Sequence, residues 1–170
     1  MARVNIMTAI TDNRTPAKMP RIGMWLIEVI EDSFPVTHQG TLERESITAQ
    51  ELTLQLLANA LTKLKKLNIE MDEIEIYLDC TVVRSAFMNH WLDKWSINEW
   101  KSAKGEEIAD KSTWMLLWNL LTETGKRYIA VDKQSRYENW MHTELNRAVT
   151  KKREKEIAEE SIKKIMQKLA

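Results

Sequence analysis

The chain has 170 residues, 44% of them hydrophobic and 29% charged, and its 25 basic side chains balance 25 acidic ones. A chain of this size buries one core without covalent staples, and its single cysteine, Cys80, excludes a disulfide framework and a cysteine-rich zinc site. The densest apolar stretch, Trp114 to Leu121, is interrupted by Asn119 and is too short for a transmembrane helix, so no membrane partner is expected.

Val4, Ile6, Thr8 and Ile10 alternate with Asn5, Met7 and Ala9, the period of a strand. The stretch Thr11 to Pro20 holds Asp12, Asn13, Pro16 and Pro20 and reads as a loop. Ile22 to Ile30 is almost wholly apolar, as in a strand covered on both faces. A weaker strand is predicted over Val36 to Glu45, with Gly40 as a bulge or turn. Thr48-Ala49-Gln50-Glu51 has the pattern of a capping box, and Leu52, Leu56, Ala60 and Leu64 keep one helical face apolar. The cationic end of that helix, Lys63, Lys65 and Lys66, suits the negative end of its dipole.

Ile74, Ile76 and Leu78 alternate with Glu73, Glu75 and Tyr77 in a fourth strand ending at Asp79. One helix is predicted from Thr81 to Asp93, a tryptophan- and lysine-rich turn region from Trp95 to Asp110, and another helix from Ser112 to Thr122. Tyr128 to Val131 reads as a short fifth strand. Ser135-Arg136-Tyr137-Glu138 resembles a second capping box, opening a helix that can run to Leu169. The order β-β-β-α-β-α-α-β-α describes an α/β domain with a mixed sheet.

From Arg147 onward eight basic residues meet four acidic ones, a charge of +4, while residues 1–146 carry −4 from 17 basic and 21 acidic side chains. An acidic body argues against strong non-specific binding of nucleic acid there. The four glycines are isolated and form neither a dinucleotide-binding loop nor a Walker A loop. His38, His90 and His142 show no metal-ligand spacing. Arg3 and Asn5 stand where a signal peptide would be apolar, so a cytoplasmic, reducing setting is expected.

The run Ile74 to Cys80, followed by Val83, Trp91, Trp95, Trp100, Lys101, Lys104, Gly105 and Trp114, resembles the fourth strand, helices and basic loop of type 1 ribonuclease H. Glu51-Leu52 matches that family's Glu-Leu, and Glu138-Asn139 through Glu144-Leu145 is similar to the start of its last helix. The resemblance covers roughly residues 3 to 149. It implies a five-stranded mixed sheet ordered 3-2-1-4-5 with helices on both faces, making residues 1–149 the domain and 150–170 an amphipathic helical extension.

The family hydrolyses the RNA strand of RNA–DNA hybrids with two magnesium ions held by four carboxylates. Carried over residue by residue, the resemblance assigns Glu51 and Asp79 as catalytic and metal-binding, with Mg²⁺ or Mn²⁺ weakly held. The strand-one aspartate falls on Ala9, the last-helix aspartate on Thr143, and no histidine stands in Val131 to Ser135. Asp12, Asp132 and Glu144 are the candidate substitutes. The asparagine pair that reads the hybrid's minor groove falls near Ile47 and Thr48. Thr48, Trp95, Trp100, Lys101 and Lys104 are therefore candidates for nucleic-acid contact, although Glu106, Glu107 and Asp110 dilute the basic patch. Structural roles compete: Glu51 as the partner of Thr48 in its capping box, Asp79 as a helix N-cap, and the tryptophans as core anchors.

Three functions fit: a domain that engages RNA–DNA hybrid or another A-form duplex with cleavage weak or lost, an active nuclease with a rearranged site, or a non-catalytic scaffold. In the extension, Ala158, Ile162, Ile165, Met166 and Leu169 recur at helical steps, which predicts self-association or a protein partner through residues 157–169.

Overall fold

Alternation along the first strand divides the molecule into two layers. In the computed structural model, which describes residues 1–170, β1 (Arg3–Ile10) sends Val4, Ile6 and Ile10 into one cluster and Met7 and Ala9 into another on the opposite face. The other elements are β2 (Met19–Glu31), β3 (Phe34–Ile47), α1 (Ala49–Leu67), β4 (Glu73–Leu78), α2 (Thr81–Met88), α3 (Trp91–Ile97), α4 (Lys111–Thr124), β5 (Arg127–Ala130) and α5 (Glu138–Leu169). The sheet order is β3-β2-β1-β4-β5. β1 pairs antiparallel with β2 and parallel with β4, so the C-terminal ends of β1 and β4 emerge at the same edge. This is the topology that the resemblance to type 1 ribonuclease H implied. β2 is buried from Arg21 to Val29, because helices cover both faces.

α1 packs on the first face, where Leu52, Leu56, Ala60 and Leu64 are buried. α5 packs on the second, placing Met141 and Leu145 against Met7, Ala9, Ile22, Met24 and Leu26. The Thr48 side chain accepts from the Glu51 N–H at 3.1 Å, but the box is half formed. The Glu51 carboxylate turns instead to Thr113 and Gln55.

Four local expectations are corrected. The single helix over Thr81–Asp93 is broken, because His90 takes a left-handed conformation (φ 55°) between α2 and α3. The second helix then runs through Trp95 to Ile97, into the stretch read as turn. Gly40 forms no bulge: it pairs with Trp25 in an unbroken ladder, and a Cβ there would come within 2.6 Å of the indole. The register shift lies at Met19/Arg21. Ser135 does not cap α5, whose N-cap is Tyr137 without a side-chain bond. The cause is Glu28 on β2, whose carboxylate accepts from the Arg136 guanidinium and the Tyr137 hydroxyl and draws this segment onto the sheet.

α5 is one helix of 32 residues, so the division expected near residue 149 falls inside a continuous element. What changes there is burial. Lys152 meets Glu43 at 2.7 Å and Glu45 at 3.4 Å on β3, and every residue from Arg153 onward is exposed. No helix is long and apolar enough to cross a membrane.

Candidate active site

Asp79 follows the last residue of β4, at the edge where β1 also ends. Its side chain is 2% exposed. Oδ2 accepts from the Ile10 backbone N–H at 3.0 Å and from Asn13 Nδ2 at 3.2 Å. His142 Nε2, one turn into α5, stands 3.5 Å from the same oxygen and 3.9 Å from Glu138 Oε1. Asp79 Oδ1 and Glu138 Oε2 are buried with no protein partner. Burial pushes the Asp79 carboxyl up to about 6; the Ile10 N–H, Asn13 and His142 oppose the rise, and Glu138 adds to it. Asp79 is not a helix N-cap, since Cys80 holds that position and no side chain bonds the first turn of α2. Burial also pushes the Cys80 thiol up, away from the thiolate a nucleophile needs.

Glu51 belongs to a separate group. Its Oε1 accepts from Thr113 Oγ1 at 2.6 Å and from Gln55 Nε2 at 3.1 Å, while Oε2 is buried without a partner. Burial raises its carboxyl pKa, Thr113 and Gln55 counter this, and nearby Asp110 raises it again. Asp110 also accepts from Gln50 Nε2 at 2.8 Å.

Between these two groups lies a cleft of about 750 Å³. It is lined by residues 13–16 of the β1–β2 loop, by Thr48 to Gln50, by Asp79 to Val82, and by Ala109 and Asp110. The loop is held by Arg21, a 1% exposed arginine that donates to the carbonyls of Asp12, Thr15, Ala17 and Ile47.

The positions expected to carry the other two carboxylates remain without acid. Ala9 is buried beneath α5, and Thr143 is exposed, donating to the Asn139 carbonyl at 2.9 Å. None of the three candidate substitutes bonds to the Asp79 group. Asp12 is exposed at φ 51° and lines a different cleft, beside α5. Asp132 pairs with Arg84 at 3.7 Å, and Glu144 with Arg147 at 2.8 Å.

Sequence reasoning missed Asn13, Glu138 and His142. Glu138, Met141, His142 and Leu145 follow three- and four-residue steps, and that register, rather than family position, turns Glu138 and His142 toward the sheet.

The nucleic-acid candidates also separate. Thr48 lines the cleft. Trp100 is buried against Trp118, and Trp95 sits edge-on to Trp114 with centroids 5.2 Å apart, so both serve the core. Lys101 is engaged by Glu99 at 3.8 Å, and Lys104 is exposed on the turn.

No three His, Cys, Asp or Glu side chains share a geometry that would hold a metal ion. Two magnesium ions bring four positive charges that need several ordered oxygen ligands. Asp79 Oδ2 and Glu51 Oε1 are already committed to protein donors, and Ala9 and Thr143 supply none. The residues present do not fit a pair of magnesium ions.

No protein-family model matches the chain. Its sequence is similar to ribonuclease H of Clostridium botulinum, with 33% identity over 84 residues, covering 49% of this chain and 54% of that protein. It is also similar to ribonuclease H of Acetivibrio thermocellus, with 31% identity over 88 residues, 52% of this chain and 57% of that protein. The chain thus spans about half the length of the curated relatives it matches. Among solved structures it is similar to LC9-RNase H1, a type 1 RNase H with the type 2 active-site motif, at TM-score 0.63 and 13% identity over 86% of this chain and 71% of that one. The N-terminal RNase H domain of rv2228c from Mycobacterium tuberculosis superposes at 0.60 with 13% identity, over 89% and 99%. LC11-RNase H1 in complex with RNA/DNA hybrid gives 0.57 at 10% identity, over 86% and 99%. The chain has the type 1 ribonuclease H-like fold.

Proposed function

We propose that this chain is a ribonuclease-H-like domain that engages RNA–DNA hybrid or another A-form duplex, with cleavage weak or lost. The observation that carries this reading is the environment of Asp79. A backbone N–H, an asparagine amide and a histidine approach the oxygen that would otherwise face a cation. Divalent cation binding is correspondingly weak, with Asp79 Oδ1, Glu138 Oε2 and Glu51 Oε2 as the remaining free carboxylate oxygens.

The cleft supports the substrate class. A-form duplexes are read by shape and by 2′-hydroxyls across a wide minor groove, which needs neutral donors and acceptors more than charge. Asn13, Thr15, Thr48, Gln50 and Thr81 supply such groups along one cleft. The structural likeness to a hybrid-bound ribonuclease H agrees with this choice. Titration of one sequence as hybrid, double-stranded RNA and double-stranded DNA tests the reading. Hybrid or RNA duplex should bind more tightly than DNA, and equal affinity for all three would remove the A-form assignment.

Residues 157–169 support a second role, in self-association. Ile162, Ile165 and Leu169 are 57%, 58% and 82% exposed, and the helix reaches ~25 Å beyond Lys152, too far to fold back on its own domain. The working setting is the cytoplasm, which suits a chain whose one thiol is free and buried.

A further inference from the structure

The +4 charge of the C-terminal part is not spread along α5. Between Arg147 and Lys155 stand five basic residues and one acid, Glu154, whereas residues 156–170 hold three of each sign. All the excess positive charge therefore sits on about 12 Å of helix, where α5 leaves the domain. Lys152 is held by Glu43 and Glu45, and Arg147 by Glu144. Lys151, Arg153 and Lys155 are exposed and have no ion-pair partner. Arg153 lines a cleft of about 230 Å³ whose opposite wall is Thr11 and Asp12 of the β1–β2 loop. The same loop forms, through Asn13 to Pro16, one wall of the larger cleft beside Asp79. Arg153 thus lies across a single loop from that cleft, while Lys151 and Lys155 share the opposite face of α5.

The loop between α3 and α4, the basic loop of the family resemblance, is neutralised internally. Lys101 is engaged by Glu99 and Lys111 by Glu107, leaving Lys104 alone.

We propose that the phosphate backbone of the bound duplex is contacted by α5 through Lys151, Arg153 and Lys155, and not by the loop between α3 and α4. This rests on the reading that the chain binds a nucleic-acid duplex. Lys151 and Lys155, one turn apart, reach phosphates on one side of the helix and Arg153 reaches those on the other, about three contacts in all when α5 lies along a groove. The acids near Arg153 are Asp12, Glu45, Glu154 and Glu156, and of these Glu45 is engaged by Lys152.

The test is hybrid binding across a salt series for the full chain, for the Lys151→Gln/Arg153→Gln/Lys155→Gln variant, and for a Lys101→Gln/Lys104→Gln control. The three α5 positions are exposed, and circular dichroism verifies that the variant folds. The α5 variant is expected to lose tenfold or more in affinity at low salt. Each phosphate contact contributes about 0.9 to the slope of log affinity against log salt, so that slope should fall by about 2 to 3. The control should match the unaltered chain. An α5 variant with unchanged affinity and slope, or a control with equal losses, overturns the proposal while leaving duplex binding intact. An unaltered chain that binds no duplex at low salt removes both.

Discussion

His142 Nε2 stands 3.5 Å from Asp79 Oδ2, bringing the first turns of α5 to the end of β4 through an imidazole and a carboxylate. With the Ile10 N–H and Asn13 amide, this makes Asp79 an internally solvated acid. Its remaining oxygen has no partner, and that imbalance has thermodynamic consequences.

Asp79 has a folded-state pKa of about 6 against an ordinary 3.8. Between these values the folded chain holds a proton that the unfolded chain releases, so this group's contribution to stability declines as pH rises from about 4 to about 6. Asp79→Asn presents an amide oxygen to the donors at Oδ2 and carries no charge. It should raise stability at pH 8 by about 1–3 kcal/mol, with the gain shrinking toward pH 4. Urea unfolding at the two pH values measures this, and an equal effect at both would show that Asp79 does not titrate in the window.

Arg21 is a structural cation. Replacing it with leucine leaves carbonyls of Asp12, Thr15, Ala17 and Ile47 without their donor. The expected cost is about 2–4 kcal/mol, and limited proteolysis should move to residues 11–18. Unchanged stability and cleavage pattern would show that the loop holds itself.

Glu28 is 3% exposed; burial would raise its pKa, but hydrogen bonds from Tyr137, Asn5 and Arg136 outweigh that and lower it. Its contribution is therefore present above the ordinary carboxylate range and is lost as pH falls through the lowered value. Glu28→Ala strands the Asn5 amide and should cost about 1–3 kcal/mol. It also releases Arg136 and Tyr137, which should broaden the His142 resonances in an NMR spectrum.

The fold was readable because strand and helix periods are long-range averages. Alternation in β1 and β4 and the two-sided apolar run of β2 survive any single substitution. The site was less readable because it depends on local geometry. Thr48 and Glu51 have the capping pattern, but the Glu51 carboxylate found Thr113, 62 residues further along the chain. Ser135 lost its cap to a competing pull from Glu28, again across the sheet. His142 lies inside the run that resembles the family's last helix but at no position with an assigned role; the register of α5 against Met7 and Ala9 turns it toward Asp79.

Truncation after Glu156 removes the exposed apolar residues and leaves the cationic turns. Sedimentation should report a heavier species for the full chain at high concentration and a monomer for the truncated one. Identical masses would remove self-association through this segment.

On the proposed function, Asp79 and Glu51 do not support two-metal hydrolysis, while the cleft beside Asp79 binds duplex. End-labelled RNA–DNA hybrid incubated with the chain in Mg²⁺, and separately in Mn²⁺, tests it most directly, with Glu51→Gln and Asp79→Asn beside it. A saturable complex should form, with little or no cleavage in either metal and little difference in cleavage between the unaltered chain and the two variants. Rapid RNA-strand cleavage in Mg²⁺ that both substitutions abolish would contradict it.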